Sequence, residues 1–277
     1  MTKLTKDNLF VLVKSLTKSE KRQFKLYVGR LGVNEDSKFL LLFKLLERLK
    51  SYDEKIILND GFVKKQQLSN LKAHLYKQIL ISLKLNPSNQ DLRIQLREQL
   101  DFATILYHKG LYKQSLKILD KAKILAIKNQ EKNIAYEIVE LEKIIESQYI
   151  TRSLSNRADA LTIQAKELSR QNVIASKLSN LSLQLYGLFL KTGYVKNNAE
   201  FETVKEYFEK RMPKFKIEAL GFREKLWLYK SYLWYSFLIQ DFKSCYKYSR
   251  KWVDLFYDNE AMISLNPVFF LRGYQYL

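Results

Sequence analysis

Helix-breaking residues are rare in this chain, which has only three prolines and eight glycines among 277 residues. Proline removes a backbone donor and glycine costs conformational entropy, so long stretches without either can remain helical. Leucine, lysine, glutamate and glutamine, which are good helix formers, fill much of the remaining sequence. The sequence therefore predicts an all-α fold.

The first 90 residues show several short helical patterns. Thr17 and Glu20 have the spacing of a capping box, in which each side chain bonds the backbone amide of the other. Gly32 is expected to end that helix, and Ser37 is expected to cap the next one. Residues 56–58 fit either a short strand or a helix end. The predicted helices span residues 18–31, 38–50 and 62–85.

The strongest candidate for a domain boundary is the Asn-Pro-Ser-Asn segment at residues 86–89. A proline disfavours helix in the residue before it, and turn-forming residues surround it here. We therefore predict a basic helical N-terminal region, residues 1–90, followed by a second domain, residues 91–277. The first region carries more than half of the net charge of +19.

A helix–turn–helix pattern begins after this boundary, with Gly110 at its turn. Glycine allows the left-handed backbone conformation that commonly ends a helix. Tyr112 follows the turn, and Ser115 and Ala122 are small enough to let the second helix approach the first. The pattern comprises Phe102, Ala103, Leu106, Tyr107, Gly110, Tyr112, Ser115, Leu119 and Ala122.

Weaker copies of this pattern recur at intervals of 40 to 47 residues. In the second copy Ser153 stands where Gly110 stood, and residues 158–165 supply the small positions of the second helix. Gly193 marks the turn of the third copy, and Gln240 marks the turn of the fourth. Such recurrence predicts a stack of helical hairpins.

This arrangement resembles the tetratricopeptide repeat over residues 91–257, although its intervals exceed the usual length of about 34 residues. The resemblance implies a right-handed α-solenoid, because one hairpin cannot bury its apolar stripe without a neighbour. It also implies a concave groove that binds a peptide or another protein.

Asn266 and Pro267 predict the start of a last helix that continues to residue 277. Its apolar side looks like the first helix of a further hairpin without a partner. We expect either an array that is cut short at the C-terminus or a homodimer that pairs these helices. The apolar residues are Val268, Phe269, Leu271, Tyr274 and Leu277.

The sequence contains no catalytic or metal-binding motif. It has no phosphate-binding glycine loop, no paired-histidine zinc motif and no nucleophile elbow. Cys245 is the only cysteine, at a position where repeat packing favours a small buried side chain. His74 and His108 are interpreted as surface or interface residues, and Glu142 as part of a solvated helix face. We therefore predict a non-enzymatic protein without a metal or cofactor.

Neither a targeting segment nor a membrane-spanning segment is visible in the sequence. The longest apolar runs, residues 39–43 and 268–271, fall far short of the roughly 20 residues that a spanning helix needs. The first 16 residues contain several charges and no small-residue cleavage site. We predict a cytoplasmic protein without membrane contact, which agrees with a single reduced cysteine.

The positive charge of residues 1–90 has two interpretations. In the first, a row of lysines contacts an anion or the phosphates of a nucleic acid. In the second, these lysines only solvate their helices, and arginine, the better reader of bases, is scarce in this region. The candidate contacts are Lys64, Lys65, Lys72 and Lys77.

One helix near the C-terminus is crowded with aromatic side chains and has two stripes at helical spacing. The resemblance to tetratricopeptide repeats places one of these stripes, and matching positions of earlier copies, in the concave groove. The other interpretation is that neighbouring helices bury both stripes. The groove candidates are Arg97, His108, Lys191, Trp227, Lys230 and Trp234.

Two functions follow from these patterns. The first is a scaffold whose groove holds a protein or peptide with acidic and apolar side chains, since tryptophan and arginine are common anchors. The alternative is implied by the resemblance, because tetratricopeptide-like arrays with lengthened repeats resemble the sensor halves of some bacterial transcriptional or signalling regulators. In such a regulator residues 1–90 would bind nucleic acid, and the repeat array would act as the sensor.

Overall fold

The computed structural model describes residues 7–32, 37–86, 91–148 and 156–277. Every regular element in these ranges is helical, which confirms the all-α class. The chain forms two compact units, Met1–Ile94 and Gln95–Leu277. The division falls inside a helix, four residues after the predicted boundary, whose Pro-Ser-Asn segment lies outside the described residues.

Among its described residues the N-terminal unit contains five helices, and a sixth helix includes the residues on both sides of the division. The first six are α1 (Asn8–Ser15), α2 (Lys18–Arg30), α3 (Lys38–Arg48), α4 (Glu54–Asn59), α5 (Lys65–Leu85) and α6 (Leu92–His108). The C-terminal unit continues with α7 (Tyr112–Lys128), α8 (Lys132–Gln148), α9 (Arg157–Thr192), α10 (Asn198–Arg211), α11 (Phe222–Leu238), α12 (Phe242–Tyr257), α13 (Ala261–Leu265) and α14 (Pro267–Gln275). A short 3₁₀ turn, Ile217–Ala219, precedes α11.

The core of the N-terminal unit forms where α5 packs against α1, α2 and α3. Phe24 of α2, Phe43 of α3 and Leu75 of α5 are almost completely buried, and the two phenylalanine rings lie 4.7 Å apart. Each such side chain contributes about 1.5–3 kcal/mol when it leaves water. The apolar faces of these helices therefore point inward and their charged faces point outward.

Local signals in this unit are mostly confirmed. The amide of Thr17 donates to Glu20 Oε2 at 2.8 Å, and the amide of Glu20 donates to Thr17 Oγ1 at 3.2 Å, which completes the capping box. Gly32 follows α2 with a φ of +68°, as expected for a helix end. Residues 56–58 lie within α4, so the helical interpretation of that segment is confirmed.

Two predictions in the N-terminal unit are confirmed only in part. Ser37 occupies the predicted N-cap position before Lys38, in an extended conformation, but its hydroxyl does not bond the backbone of α3. The long helix begins at Lys65 rather than at residue 62. Gly61 has a φ of +79° and Lys64 is extended, so the backbone cannot become helical before Lys65.

The helices of the C-terminal unit pack in chain order. Helix α7 contacts α8, α8 contacts α9, α9 contacts α11, α11 contacts α12 and α12 contacts α14, while α10 lies against α9 and α11. Helices α6 and α7 are joined by a hydrogen bond from the buried hydroxyl of Ser115 to the carbonyl of Ala103, 2.8 Å long. The small residues predicted at this crossing therefore do allow a close approach.

Three turns of the C-terminal unit share one geometry. Gly110, Gln130 and Gln240 have φ values of 73°, 62° and 60°. In each turn the next amide donates to the carbonyl five residues earlier, which is the Schellman arrangement. These bonds, 2.8–2.9 Å long, join Leu111 to Leu106, Glu131 to Ala126 and Asp241 to Ser236. The turns at Gly110 and Gln240 are therefore confirmed, and the turn at Gln130 was not predicted.

A single helix, α9, replaces the second helix of the second copy and the first helix of the third copy, so the break predicted between them is wrong. The helix end predicted at Gly193 is confirmed, since α9 stops there and Gly193 has a φ of +70°. Residues 158–165 and the segment before Gly193 both belong to α9, which has 36 residues and a length of about 54 Å. No glycine or proline interrupts the sequence between residues 157 and 186. Ser153 lies outside the described residues. None of the described helices, including α9, is long and apolar enough to span a membrane.

The last helix, α14, packs against the helices that precede it, which agrees with its interpretation as the first helix of a further hairpin. It packs against α12 and α13, and Gly273 lies so close to Trp252 that an added Cβ would be 3.2 Å from the indole. The side chains on its outer face remain accessible. Val268 and Leu271 are each 61% exposed. A homodimer through this face stays a prediction.

A buried ion pair joins α8 to α11. Lys132 Nζ lies 3.0 Å from both carboxylate oxygens of Glu224, and the two residues are 7% and 1% exposed. Gly221 makes this approach possible, because a Cβ there would lie 2.5 Å from Lys132 Nζ. The pair therefore couples two elements that are distant in sequence.

A second buried network joins α7, α8 and α9 around Glu142. Lys123 Nζ lies 2.5 Å from Glu142 Oε2, and an Arg157 nitrogen lies 3.1 Å from Glu142 Oε1. Burial raises the pKa of Glu142, although both cations act in the opposite direction. The interpretation of Glu142 as a solvated residue is wrong, because cations from two neighbouring helices hold its carboxylate inside.

Candidate functional site

The strongest candidate site is a cleft of about 700 Å³ between α9, α11 and α14. We call it the aromatic-cationic cleft. Three of the predicted groove residues line it, together with residues that the sequence did not indicate. Its lining comprises Ser179, Asn180, Ser182, Leu183, Tyr186, Trp227, Lys230, Trp234, Arg272, Gln275 and Tyr276.

Lys230 is held between aromatic rings in this cleft. Its Nζ lies 4.9 Å from the ring centroid of Trp227 and 5.6 Å from that of Phe269, within the range of cation–π attraction. Burial lowers the pKa of Lys230, and the positive charge of Arg272 lowers it further. The described lining contains no carboxylate. Lys230 and Arg272 therefore give the cleft a positive charge that no acidic side chain of the described lining balances.

Trp234 forms the inner wall of the aromatic-cationic cleft. It is 7% exposed, and its ring lies 4.7 Å from Tyr186 and 5.7 Å from Tyr276. Neighbouring helices therefore bury Trp234, as the second interpretation of this aromatic helix expected. Trp227 remains half-buried. Ser182 also lines the cleft, is 1% exposed and has a hydroxyl without a hydrogen-bond partner among the described residues.

The other predicted groove residues lie elsewhere. Lys191 lines a second cleft of about 900 Å³ between α9 and α10. Side chains four residues apart differ in direction by about 40° around a helix, so those of Leu183 and Lys191, eight residues apart, differ by about 80°. Leu183 therefore faces the first cleft, whereas Lys191 faces the second. Arg97 and His108 are exposed on α6, and the ring of His108 contacts that of Tyr107 at 5.2 Å.

The four lysines predicted to contact anions do not share one face of α5. Lys72 pairs with Asp7 and donates to Tyr52 Oη at 3.0 Å. Burial alone would lower the pKa of Lys72, but these two partners outweigh burial and raise it. Lys77 follows five residues later and so points about 140° away around the helix. Lys65 lies on the face of Lys72, and Lys64 precedes the helix.

Helix α2 carries a basic face that was not predicted from the sequence. Lys18, Lys21, Arg22 and Lys25 have the spacing i, i+3, i+4 and i+7, which places them on one side of the helix. A cavity of about 540 Å³ lies among them, beside Glu47. The same helical spacing that predicts apolar stripes could have identified this basic stripe.

Cys245 and His74, the residue types here that most often act in catalysis, are packed against other side chains. Burial raises the pKa of Cys245 to about 11, so its thiol stays protonated at neutral pH. The ring of His74 lies 5.4 Å from that of Phe39 in an edge-on contact. Among the described residues, no group of three or more histidine, cysteine or acidic side chains converges to hold a metal ion.

Comparisons of this chain with protein-family models, with curated proteins and with solved structures find no match.

Proposed function

We propose that the protein is a non-enzymatic scaffold that binds an acidic peptide segment of a partner protein in the aromatic-cationic cleft. The observation that carries this proposal is the position of Lys230 and Arg272 beside Trp227, in a cleft whose described lining contains no acidic side chain. The C-terminal unit would be a right-handed solenoid of tetratricopeptide-like hairpins that presents this cleft.

The packing order of the helices supports the solenoid. Helices α7, α8, α9, α11, α12 and α14 contact one another in chain order, and α10 and α13 pack beside them. The Schellman turns at Gly110, Gln130 and Gln240 repeat one helix–helix connection. In such an array each hairpin would share its apolar surface with the next, which is how repeat arrays gain stability.

The electrostatics of the cleft support an acidic ligand. Lys230 is partly desolvated and lies near another cation, so a bound carboxylate would relieve both unfavourable effects. A carboxylate can also accept charge-assisted hydrogen bonds from Arg272. Trp227 and the exposed Leu183 offer apolar surface for the neighbouring side chains of a peptide. The cleft is in the size range of ligand sites.

The experiment that tests this proposal is titration of a labelled octapeptide of alternating glutamate and leucine, followed by fluorescence anisotropy. We expect Lys230→Gln combined with Arg272→Gln to weaken binding at least about tenfold, because the loss of charged hydrogen bonds costs about 1.5–3 kcal/mol each. A peptide with glutamine in place of glutamate should bind the wild-type protein weakly.

The matched control removes the same charge from the neighbouring cleft, by Lys191→Gln combined with Lys196→Gln. Both side chains are exposed and line the cleft between α9 and α10. This variant should keep wild-type affinity to within about twofold, since it retains both cations of the aromatic-cationic cleft. Equal weakening in both variants would show that only the overall net charge attracts the peptide, which would contradict the proposal.

A further inference from the structure

A second interaction surface lies on the N-terminal unit, and it is independent of the proposed peptide cleft. We call it the α2 basic face: Lys18, Lys21, Arg22 and Lys25 of α2, with Lys14 at the end of α1. The four cations of α2 extend over two helical turns, a distance of about 10.5 Å. Lys18, Arg22 and Lys25 are exposed to solvent.

The α2 basic face has an excess of positive charge. Glu47 of α3 is the acidic residue at its centre, 3.7 Å from Lys21 and 3.1 Å from Lys25. Lys14 donates to the backbone carbonyl of the same residue at 2.8 Å. Two of the five cations therefore pair with this carboxylate, and the remaining positive charge has no acidic partner at the centre of the face.

Packing holds this face rigidly outward. Phe24 and Val28, on the side of α2 that adjoins Lys21, are 1% and 0% exposed in the core of the N-terminal unit. The capping box at Thr17 fixes the start of the helix. The cations are thus arranged before any partner binds, which reduces the conformational entropy lost on binding.

We propose that the α2 basic face binds the phosphodiester backbone of a duplex nucleic acid. Phosphates along one strand repeat every 3.4 Å of helix axis, so a row of about 10.5 Å follows roughly three nucleotides. Arg22 can bond a phosphate through two nitrogens, and the lysines contribute point charges. Contacts of this kind position a protein on a duplex without reading its sequence.

The exposed chemistry of α2 favours a nucleic acid over a lipid surface. A helix that lies on a membrane inserts an apolar face beside its basic face. The apolar face of α2 is already buried in the core, and Leu26, which is 57% exposed, is the large apolar side chain that lines the basic cavity. The face therefore offers charge with little apolar surface to insert.

The test measures binding of the full chain to a 20-base-pair DNA duplex by fluorescence anisotropy between 50 and 200 mM salt. Each phosphate contact contributes about 0.9 to the slope of log affinity against log salt. The triple variant Lys18→Gln/Arg22→Gln/Lys25→Gln should reduce the magnitude of this slope by about 2.7. The double variant Lys18→Gln/Arg22→Gln, which keeps the ion pair of Lys25 with Glu47, should lower it by about 1.8.

The matched control removes three exposed cations from the other candidate surface, by Lys64→Gln, Lys65→Gln and Lys77→Gln. It should keep the wild-type slope, and two unrelated duplex sequences should bind with similar affinity. The proposal is overturned if both triple variants lose the same slope, or if the α2 variants lose none. It is also overturned if the wild-type chain binds vesicles with 30% anionic lipid but not the duplex.

Discussion

Replacing Lys132 with methionine is expected to lower the free energy of unfolding by about 3–5 kcal/mol, because it leaves Glu224 buried without its counter-ion. Glu224 is 1% exposed and cannot reach water while α8 and α11 stay packed. The three tryptophans lie at positions 227, 234 and 252, so their fluorescence in a urea titration reports the C-terminal unit.

The control for this prediction is the double variant Lys132→Met/Glu224→Leu. Replacing both members of a buried ion pair with apolar side chains is often neutral or stabilising, so this variant should recover most of the lost stability. If the single variant costs less than about 1 kcal/mol, the carboxylate of Glu224 does not depend on Lys132, and the described pair is wrong.

Trp252→Ala is the second prediction with a large expected effect. Trp252 is 0% exposed and packs against Tyr276, with the ring centroids 6.0 Å apart, and against Gly273. Removing a buried indole should cost about 3–5 kcal/mol, since the surrounding helices cannot fill the cavity. Circular dichroism at 222 nm in urea measures this loss.

Tyr246→Ala on the same helix is the matched control. Tyr246 is 58% exposed, so its truncation should change the free energy of unfolding by less than about 1 kcal/mol. Similar losses in the two variants would mean that α12 does not present its Trp252 side to the core, in conflict with its packing between α11 and α14.

The sequence predicted those parts of the fold that depend on neighbouring residues. The capping box of Thr17 and Glu20 needs only a spacing of three, and the turn at Gly110 needs only a residue that tolerates positive φ. Gln130 adopts the same backbone conformation without glycine, so its turn gave no local signal. Here the packing of α7 on α8 holds Gln130 at a positive φ, although glutamine ordinarily prefers a negative φ.

Contacts between distant residues were the ones that sequence reasoning missed. Lys132 and Glu224 are 92 positions apart, and nothing in their local sequence distinguishes them from solvated charges. Glu142 was misinterpreted for the same reason, because its partners Lys123 and Arg157 come from other helices. Charge patterns along one helix do not show which face a neighbour covers.

The aromatic-cationic cleft could be predicted only in part. Trp227 and Lys230 follow from helical spacing and the resemblance to tetratricopeptide repeats. Arg272 was missed, because the apolar stripe of α14 does not show which of its polar side chains faces the cleft. Lys191 was assigned to the same groove, but its position around the uninterrupted helix α9 places it in the other cleft.

The most direct test of the proposed function is a reversal of charge in the cleft. The glutamate–leucine octapeptide and a lysine–leucine counterpart are titrated against the wild-type chain and against Lys230→Glu/Arg272→Glu. The wild-type protein should prefer the acidic peptide by about tenfold or more, and the variant should prefer the basic peptide. The variant keeps a large positive net charge, so general attraction would still favour the acidic peptide. An unchanged preference for the acidic peptide in the variant would contradict the proposal that this cleft is the binding site.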